Sequence, residues 1–362
     1  MPSAREPLPA LARLVASLAA NPGSPPAAPE PMPGGASTRR FYRVSLGGSG
    51  TAVAMWFPDA TKPDEIAKTD ESGRRWPFLE VRDLLAARGI RVPAVVAEAC
   101  ADGLLLVEDL GDDTLAAYLS RRPATRESLY QLAVRDLARA QRALATLPEG
   151  SIVRARAFDT DLLRWEVDHF REWALEARGI QLDAGDREVF DAAADHLAST
   201  IASWPRGFVH RDYQSRNLMV REVEAREELV WIDFQDALLG PRVYDLVALL
   251  NDSYQTFTRE FVEARLGEYC AHLGLPGAAL ETIVREFDLV TVQRKLKDAG
   301  RFVFIDRTKG NPGFLQFVEP TIAKARASLA RLRDDPRLAA LDDVLARVAP
   351  GDPTAGAGAH RG

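Results

Sequence analysis

The stretch Phe208-Val209-His210-Arg211-Asp212-Tyr213-Gln214-Ser215-Arg216-Asn217-Leu218-Met219-Val220 decides how this chain is read. Two apolar residues lead into a polar segment and three lead out of it, so a loop is expected, pinned at both ends on short buried strands. Within it an acid, Asp212, stands five residues ahead of an amide, Asn217. Finding His210, Arg211, Asp212 and Asn217 at these four positions by accident has odds of about 1 in 440 over a chain of this length. A second motif follows, Val230-Trp231-Ile232-Asp233-Phe234, an apolar strand that ends in an acid. The five-residue spacing lets one loop turn the carboxylate and the amide to different tasks. A carboxylate so placed can orient a hydroxyl and take its proton. An amide oxygen and a second carboxylate are hard ligands suited to Mg2+. Together these are the needs of phosphoryl transfer, with Asp212 as base and Asn217 and Asp233 as metal ligands.

The rest of the composition is compatible with that chemistry and excludes several others. The chain has 362 residues, 46% hydrophobic and 27% charged, enough for two or three domains of ordinary size that need no staple to fold. A net charge of −6 argues against a nucleic-acid partner, which usually demands a basic stripe. The basic residues are lopsided, six Lys against forty Arg. Cys100 and Cys270 lie far apart, and the five histidines lack metal-ligand spacing, so neither a disulfide framework nor a zinc site is expected. No apolar run approaches the ~18 residues of a membrane span. Leu8 to Ala20 resembles a signal sequence only superficially, because Arg13 interrupts it and Leu8, Leu11, Val15 and Leu18 recur at helical spacing. A cytoplasmic protein with no membrane partner is expected.

Outward from the loop, the pattern predicts strands first and helices after. Asn21 to Gly35 is too rich in Pro and Gly for a regular element. Arg40–Leu46 and Thr51–Phe57 flank a Gly-rich turn and read as a hairpin. A helix over Pro77–Arg88 is capped by Gly89, and strands over Pro93–Cys100 and Leu104–Glu108 flank Ala101-Asp102-Gly103. Helices are expected over 125–147, 158–177, 184–203, 242–251, 258–273, 277–300 and 319–333, interrupted only by the island 207–234. The predicted class is therefore α+β. Residues 1–33 form a helix and Pro-rich linker, 34–108 a small antiparallel-sheet lobe, 109–349 a larger helical lobe, and 350–362 a flexible tail.

The loop's His-Arg-Asp-x-x-x-x-Asn resembles the catalytic loop of the protein-kinase-like fold. HRDYQSRNLMV followed by WIDFQDALLGPRVYDLVALL resembles more particularly the aminoglycoside phosphotransferase-like family of small-molecule kinases. The resemblance spans about residues 34 to 330. It implies a bilobal fold, ATP and Mg2+ as cofactors, His210 as an anchor of the loop, and Asp245 as a buried acid supporting it from a helix start. Ser37-Thr38-Arg39-Arg40-Phe41-Tyr42-Arg43-Val44 and Gln293-Arg294-Lys295-Leu296-Lys297-Asp298-Ala299-Gly300-Arg301-Phe302 resemble one branch of that family. This branch contains kinases acting on the anomeric hydroxyl of the cell-wall sugars N-acetylmuramate and N-acetylglucosamine, and it implies a small-molecule sugar partner and a role in peptidoglycan recycling.

The resemblance also frames what the residues leave open. Strand 51–57 has Met55 or a neighbour where many relatives place a phosphate-binding Lys, so the loop with Ser37 and Thr38, Arg39 or Arg40, and Lys62 or Lys68 are the candidates for the triphosphate. The strand Leu104–Glu108 would run into the hinge, with adenine bound through backbone groups of Glu108 and Leu110. An acceptor carboxylate favours a basic partner, for which Arg211, Arg242, Arg294, Lys297 and Arg301 are candidates. Trp165 and Trp173 have the spacing of core residues, with stacking on a sugar as the alternative reading. Another small alcohol as acceptor, or a nucleotide-binding pseudokinase, are the competing functions. Oligomeric state is not encoded in any of these motifs.

Overall fold

The computed structural model describes residues 7–18, 28–33, 39–47, 50–58, 76–224 and 226–355. The chain divides into two compact units, Met1–Asp113 with Met219–Ile232, and Thr114–Leu218 with Asp233–Gly362. A reading by chain order puts 219–232 with the helical part; here it groups with the strands.

In the first unit, helix α1 (Leu8–Leu18) precedes strands β1 (Glu30–Pro31), β2 (Arg40–Ser45) and β3 (Thr51–Trp56). Helix α2 (Pro77–Ala87) and strands β4 (Val95–Ala99) and β5 (Leu104–Glu108) follow. The sheet order is β1-β2-β3-β5-β4, and the pairings are antiparallel. Strand β1 corrects an expectation, since Asn21–Gly35 was read as too Pro-rich for regular structure. Two residues suffice, Glu30 opposite Arg43 and Pro31 opposite Tyr42, and an edge position tolerates the proline. Alternation places Tyr42, Val44, Ala52, Ala54, Trp56, Leu104 and Leu106 in one apolar cluster. Leu11 and Val15 of α1 close that cluster, as the i, i+4 spacing anticipates.

The second unit opens with α3 (Leu115–Arg121), α4 (Arg126–Ala143), α5 (Ile152–Ala155) and α6 (Thr160–His169). A π-helical turn, Phe170–Leu175, continues α6, and α7 (Ala184–Ala202) leads to strand β6 (Arg206–Val209). Strands β7 (Leu218–Val223) and β8 (Arg226–Trp231) pair with each other and, from Met219 to Ile232, belong to the first unit; in the second, β9 (Leu238–Pro241) pairs with β6. Helices α8 (Tyr244–Leu250), α9 (Arg259–Leu273), α10 (Ala279–Lys309), α11 (Val318–Arg331) and α12 (Pro336–Val348) complete it. Side chains of Thr114, Asp159, Asp183 and Thr258 cap α3, α6, α7 and α9 by accepting from backbone N–H groups of their first turns. Gly274 and Gly310 end α9 and α10 in the left-handed conformation.

Four helices depart from expectation, among them α3 and α5, which were not predicted. Helix α10 runs on past residue 300 to Gly310, and its residues Phe287–Leu296 are buried on every side, so no amphipathic stripe marks its course. Helix α12 was not anticipated, although Asp335 as cap, Pro336 in the first turn and the buried Leu338, Leu341, Val344 and Leu345 carry the signal. Helices α6, α7, α10, α11 and α12 enclose one core around Phe170, Phe190, Leu197, Leu296, Val303 and Leu329. Among the described residues no helix is long and apolar enough to cross a membrane.

Candidate active site

The loop that follows β6 is shaped by acids beneath it. Asp245, fully buried in the first turn of α8, accepts from the backbone N–H of His210 at 2.7 Å and of Arg211 at 2.9 Å. Burial pushes the Asp245 carboxyl up to about 7, against the pull of those two N–H groups. This grip holds Arg211 at φ 81°, a left-handed conformation unusual for a residue with a side chain. His210 is buried edge-on to Tyr213, whose hydroxyl donates to the Ala133 carbonyl at 2.9 Å. Further along, Asp252 takes the Ser215 N–H at 3.0 Å and its hydroxyl at 2.5 Å. Lys324 steadies the turn bearing Asp252 by donating to the carbonyls of Asp252 and Gln255. Arg216 lies 3.6 Å over the Tyr254 ring of the same turn. Both halves of the loop are therefore fixed by buried acids and their partners.

Between these anchors Asp212 meets Arg294. The Arg294 guanidinium donates to Asp212 Oδ1 at 3.1 Å and to the Arg211 carbonyl at 2.7 Å, and itself is buried against the Tyr244 ring. Burial pushes the Asp212 carboxyl up, but Arg294, Lys297 and Arg211 outweigh it and hold it below the usual carboxylate range. Asp212 is thus ionised at neutral pH. Arg211 pairs with Glu166 at 2.9 Å, and Gln293 donates to the other Glu166 oxygen at 2.9 Å. Asp298 collects Lys295 at 2.8 Å and Lys297 at 3.1 Å, and Lys295 also reaches the Ser253 hydroxyl.

Asn217 and Asp233 offer what a hard cation needs. The Asn217 amide nitrogen donates to the Asp212 carbonyl at 2.9 Å, which leaves Oδ1 as the atom for a metal. Asp233 sits at φ 61°, and one of its oxygens accepts from Gln235 at 3.0 Å. No cluster of three or more His, Cys, Asp or Glu able to hold a metal occurs among the described residues. One amide oxygen and one carboxylate are the kind of protein ligands with which Mg2+ is commonly held, together with phosphate oxygens and water. The donor set fits.

Of the acceptor candidates, Arg211, Arg294 and Lys297 gather around Asp212, and Arg301 lies one turn beyond Lys297 on α10, over the Phe304 ring. Arg242 is engaged elsewhere, in a two-pronged pair with Glu286 at 3.0 Å. In the first unit, Ser37, Thr38, Lys62 and Lys68 lie outside the described residues. Arg39 is buried, and Arg40 stands over the Trp56 ring. The Glu108 side chain is tied to Arg91 and Arg221, while its N–H bonds the Ala94 carbonyl; Leu110 follows the strand, half-buried. Beside them Asp109 collects Arg43, the Thr51 hydroxyl and the Gly111 N–H. Trp165 is 44% exposed, contrary to its reading as a core residue, whereas Trp173 does pack on the core. Glu166 and Asp252 escaped the sequence reading. For Glu166 a signal existed, because it falls among Leu163, Val167 and Phe170 on a buried helix face.

An antiparallel-sheet unit, a helical unit and this loop define a phosphotransferase with the protein-kinase-like fold. Residues 29–281 match the model of the phosphotransferase enzyme family, and the chain belongs to that family. It is 33% identical to an N-acetylmuramate/N-acetylglucosamine kinase of Pseudomonas aeruginosa, covering 90% of both chains. To a kinase of the same name from Pseudomonas putida it is 30% identical, covering 87% of each. Among solved structures, the GDP complex of aminoglycoside 2'-phosphotransferase-IIIa shares the fold with a TM-score of 0.56 at 14% identity, over 90% of this chain and all of the other.

Proposed function

We propose that this protein is an ATP- and Mg2+-dependent kinase of the anomeric hydroxyl of N-acetylmuramate and N-acetylglucosamine, acting in the cytoplasm on sugars released from peptidoglycan. The observation that carries the chemistry is the ionised Asp212 carboxylate, held by Arg294 on a loop whose next functional group is Asn217. The names of the 33% and 30% identical relatives support the choice of sugar. The cations around Asp212, namely Arg294, Lys297 and Arg211, favour a neutral or anionic acceptor over a cationic aminoglycoside or amino alcohol.

In this reading Asp212 accepts a hydrogen bond from the anomeric hydroxyl and takes its proton as the oxygen bonds to the γ-phosphorus. The bond from that phosphorus to the bridging oxygen breaks, and ADP leaves. Mg2+ bound through Asn217 and Asp233 would neutralise charge on the phosphates. Backbone groups of Glu108 and Leu110 would take the adenine, and Arg39 and Arg40, with Ser37 and Thr38, would stand nearest the triphosphate. His210 and Asp245 serve the loop rather than the reaction.

The test is a phosphorus NMR spectrum of the protein with ATP, Mg2+ and N-acetylmuramate, beside an Asp212→Ala control. A new phosphate coupled to the anomeric proton is expected, with turnover lowered by ~10²–10⁴ in the variant. Phosphate on another hydroxyl, no transfer to either sugar, or near-normal turnover in Asp212→Ala would overturn the corresponding part of the reading.

A further inference from the structure

Helix α10 leaves Asp212 along one accessible stripe. Its residues from Thr291 to Leu296 are buried, and beyond them Lys297, Arg301 and Phe304 are each half-buried at i, i+4, i+7 spacing. The stripe continues the line of the buried Arg294, the partner of Asp212, and reaches Phe304 ~15 Å along the helix from it. Helix α6 and its π turn run alongside in the same direction. Glu166 meets Gln293, the His169 carbonyl lies against Gly300, and the rings of His169 and Trp173 meet Phe304 at 5.4 and 5.0 Å. The Trp165 ring flanks His169 at 5.1 Å. Among the described residues Trp165 is the one exposed Trp, Tyr or Phe.

Trp165, His169, Trp173 and Phe304 form a row of rings in contact, and on α10 Arg301 lies over the Phe304 ring while Lys297 pairs with Asp298. Trp173 sits within the π turn Phe170–Leu175, a rare distortion that concentrates at functional sites. An exposed tryptophan offers a flat apolar face with a polar edge, suited to the C–H face of a sugar ring. A guanidinium matches a carboxylate in geometry and charge. Arg294, further back on α10, holds the proposed base.

We propose that this aromatic row, with Arg301, binds the acceptor and distinguishes its two forms, an inference that rests on the sugar-kinase reading above. The face of Trp165 carries the amino-sugar ring common to both substrates. Arg301 takes the lactyl carboxylate, which N-acetylmuramate has and N-acetylglucosamine lacks.

Steady-state kinetics with each sugar in turn, and with ATP varied, test this in the full-length protein carrying Trp165→Ala, Arg301→Met or Arg301→Lys. Arg301→Met should raise KM for N-acetylmuramate about tenfold or more, leave KM for N-acetylglucosamine and ATP unchanged, and be partly rescued by Arg301→Lys. Trp165→Ala should raise KM for both sugars and spare ATP. Thermal melting checks that each variant folds, and tryptophan fluorescence of Arg301→Met titrated with either sugar supplies a binding readout apart from turnover. Unchanged sugar KM values in active variants, or equal losses for both sugars and ATP in Arg301→Met, would overturn the inference while the kinase reading stands. A wild-type protein that phosphorylates neither sugar would remove both.

Discussion

Asp212 owes its charge to Arg294, a residue eighty-two positions away that reaches it from the middle of a buried helix. The consequence is a signed prediction. Because the folded carboxyl lies below its ordinary value, Asp212 stabilises the fold above the ordinary carboxylate range, and that contribution is lost as pH falls through the lowered value. The acid limb of kcat should follow the same group. In Arg294→Met the largest compensating charge is gone while burial remains, so the limb should move toward neutral pH, read from a pH–rate profile. A limb that stays in place would mean another group sets it. Asp212, Asn217 and Asp233 could be proposed from the sequence because the chemistry expected of them is local and their spacing fixed. Glu166 showed only in its place on an apolar helix face, and Asp252 gave no sign; what each acid does is set by the partner it meets, here Arg211 and Ser215.

Among the elements, α10 shows how tertiary packing hides a helix from periodicity. Its buried residues Gln293, Arg294 and Lys295 read as a polar face, yet each is inside and paired. At Gly300 the helix approaches α6 so closely that an added Cβ would stand 2.3 Å from the His169 carbonyl oxygen. Two effects then oppose each other in Gly300→Ala. Helix propensity favours alanine by ~1 kcal/mol, while overpacking against rigid backbone costs ~1–3 kcal/mol or more. The second should win, because the obstructing atom belongs to main chain and cannot rotate away. A lowered midpoint in a thermal melt is expected, and a raised one would mean that the helices part without cost. The hairpin of β2 and β3 was readable from alternation and a Gly-rich turn. Strand β1 was hidden because two residues carry no pattern.

At the scale of the whole molecule, the order strands-then-helices was evident from the sequence, but the partition was not, because contacts and not chain order decide it. The return of residues 219–232 to the first unit leaves no mark in composition. The first unit also depends on α1, whose Leu11 and Val15 are buried in the sheet's apolar cluster. Removing residues 1–18 should uncover that cluster and cost about 1.5–3 kcal/mol for each of those two side chains. Hydrogen exchange should then quicken in β2, β3 and β5 and leave α10 protected. Equal acceleration in both units would show that they unfold as one.

The paired strands β7 and β8 lie between Asn217 and Asp233. The chain leaves the second unit just after one proposed cation ligand and returns to it at the other. Near the base, Val220 N–H bonds the Asp113 carbonyl and Trp231 N–H bonds the Arg91 carbonyl, so the excursion is fastened where it starts and ends. At its far end Glu224 and Arg226 are exposed. The separation of the two ligands is thus insulated from chain length at the hairpin's tip. A reporter peptide spliced between Glu224 and Arg226 would leave both ligands in register, which makes this the natural graft point on the chain.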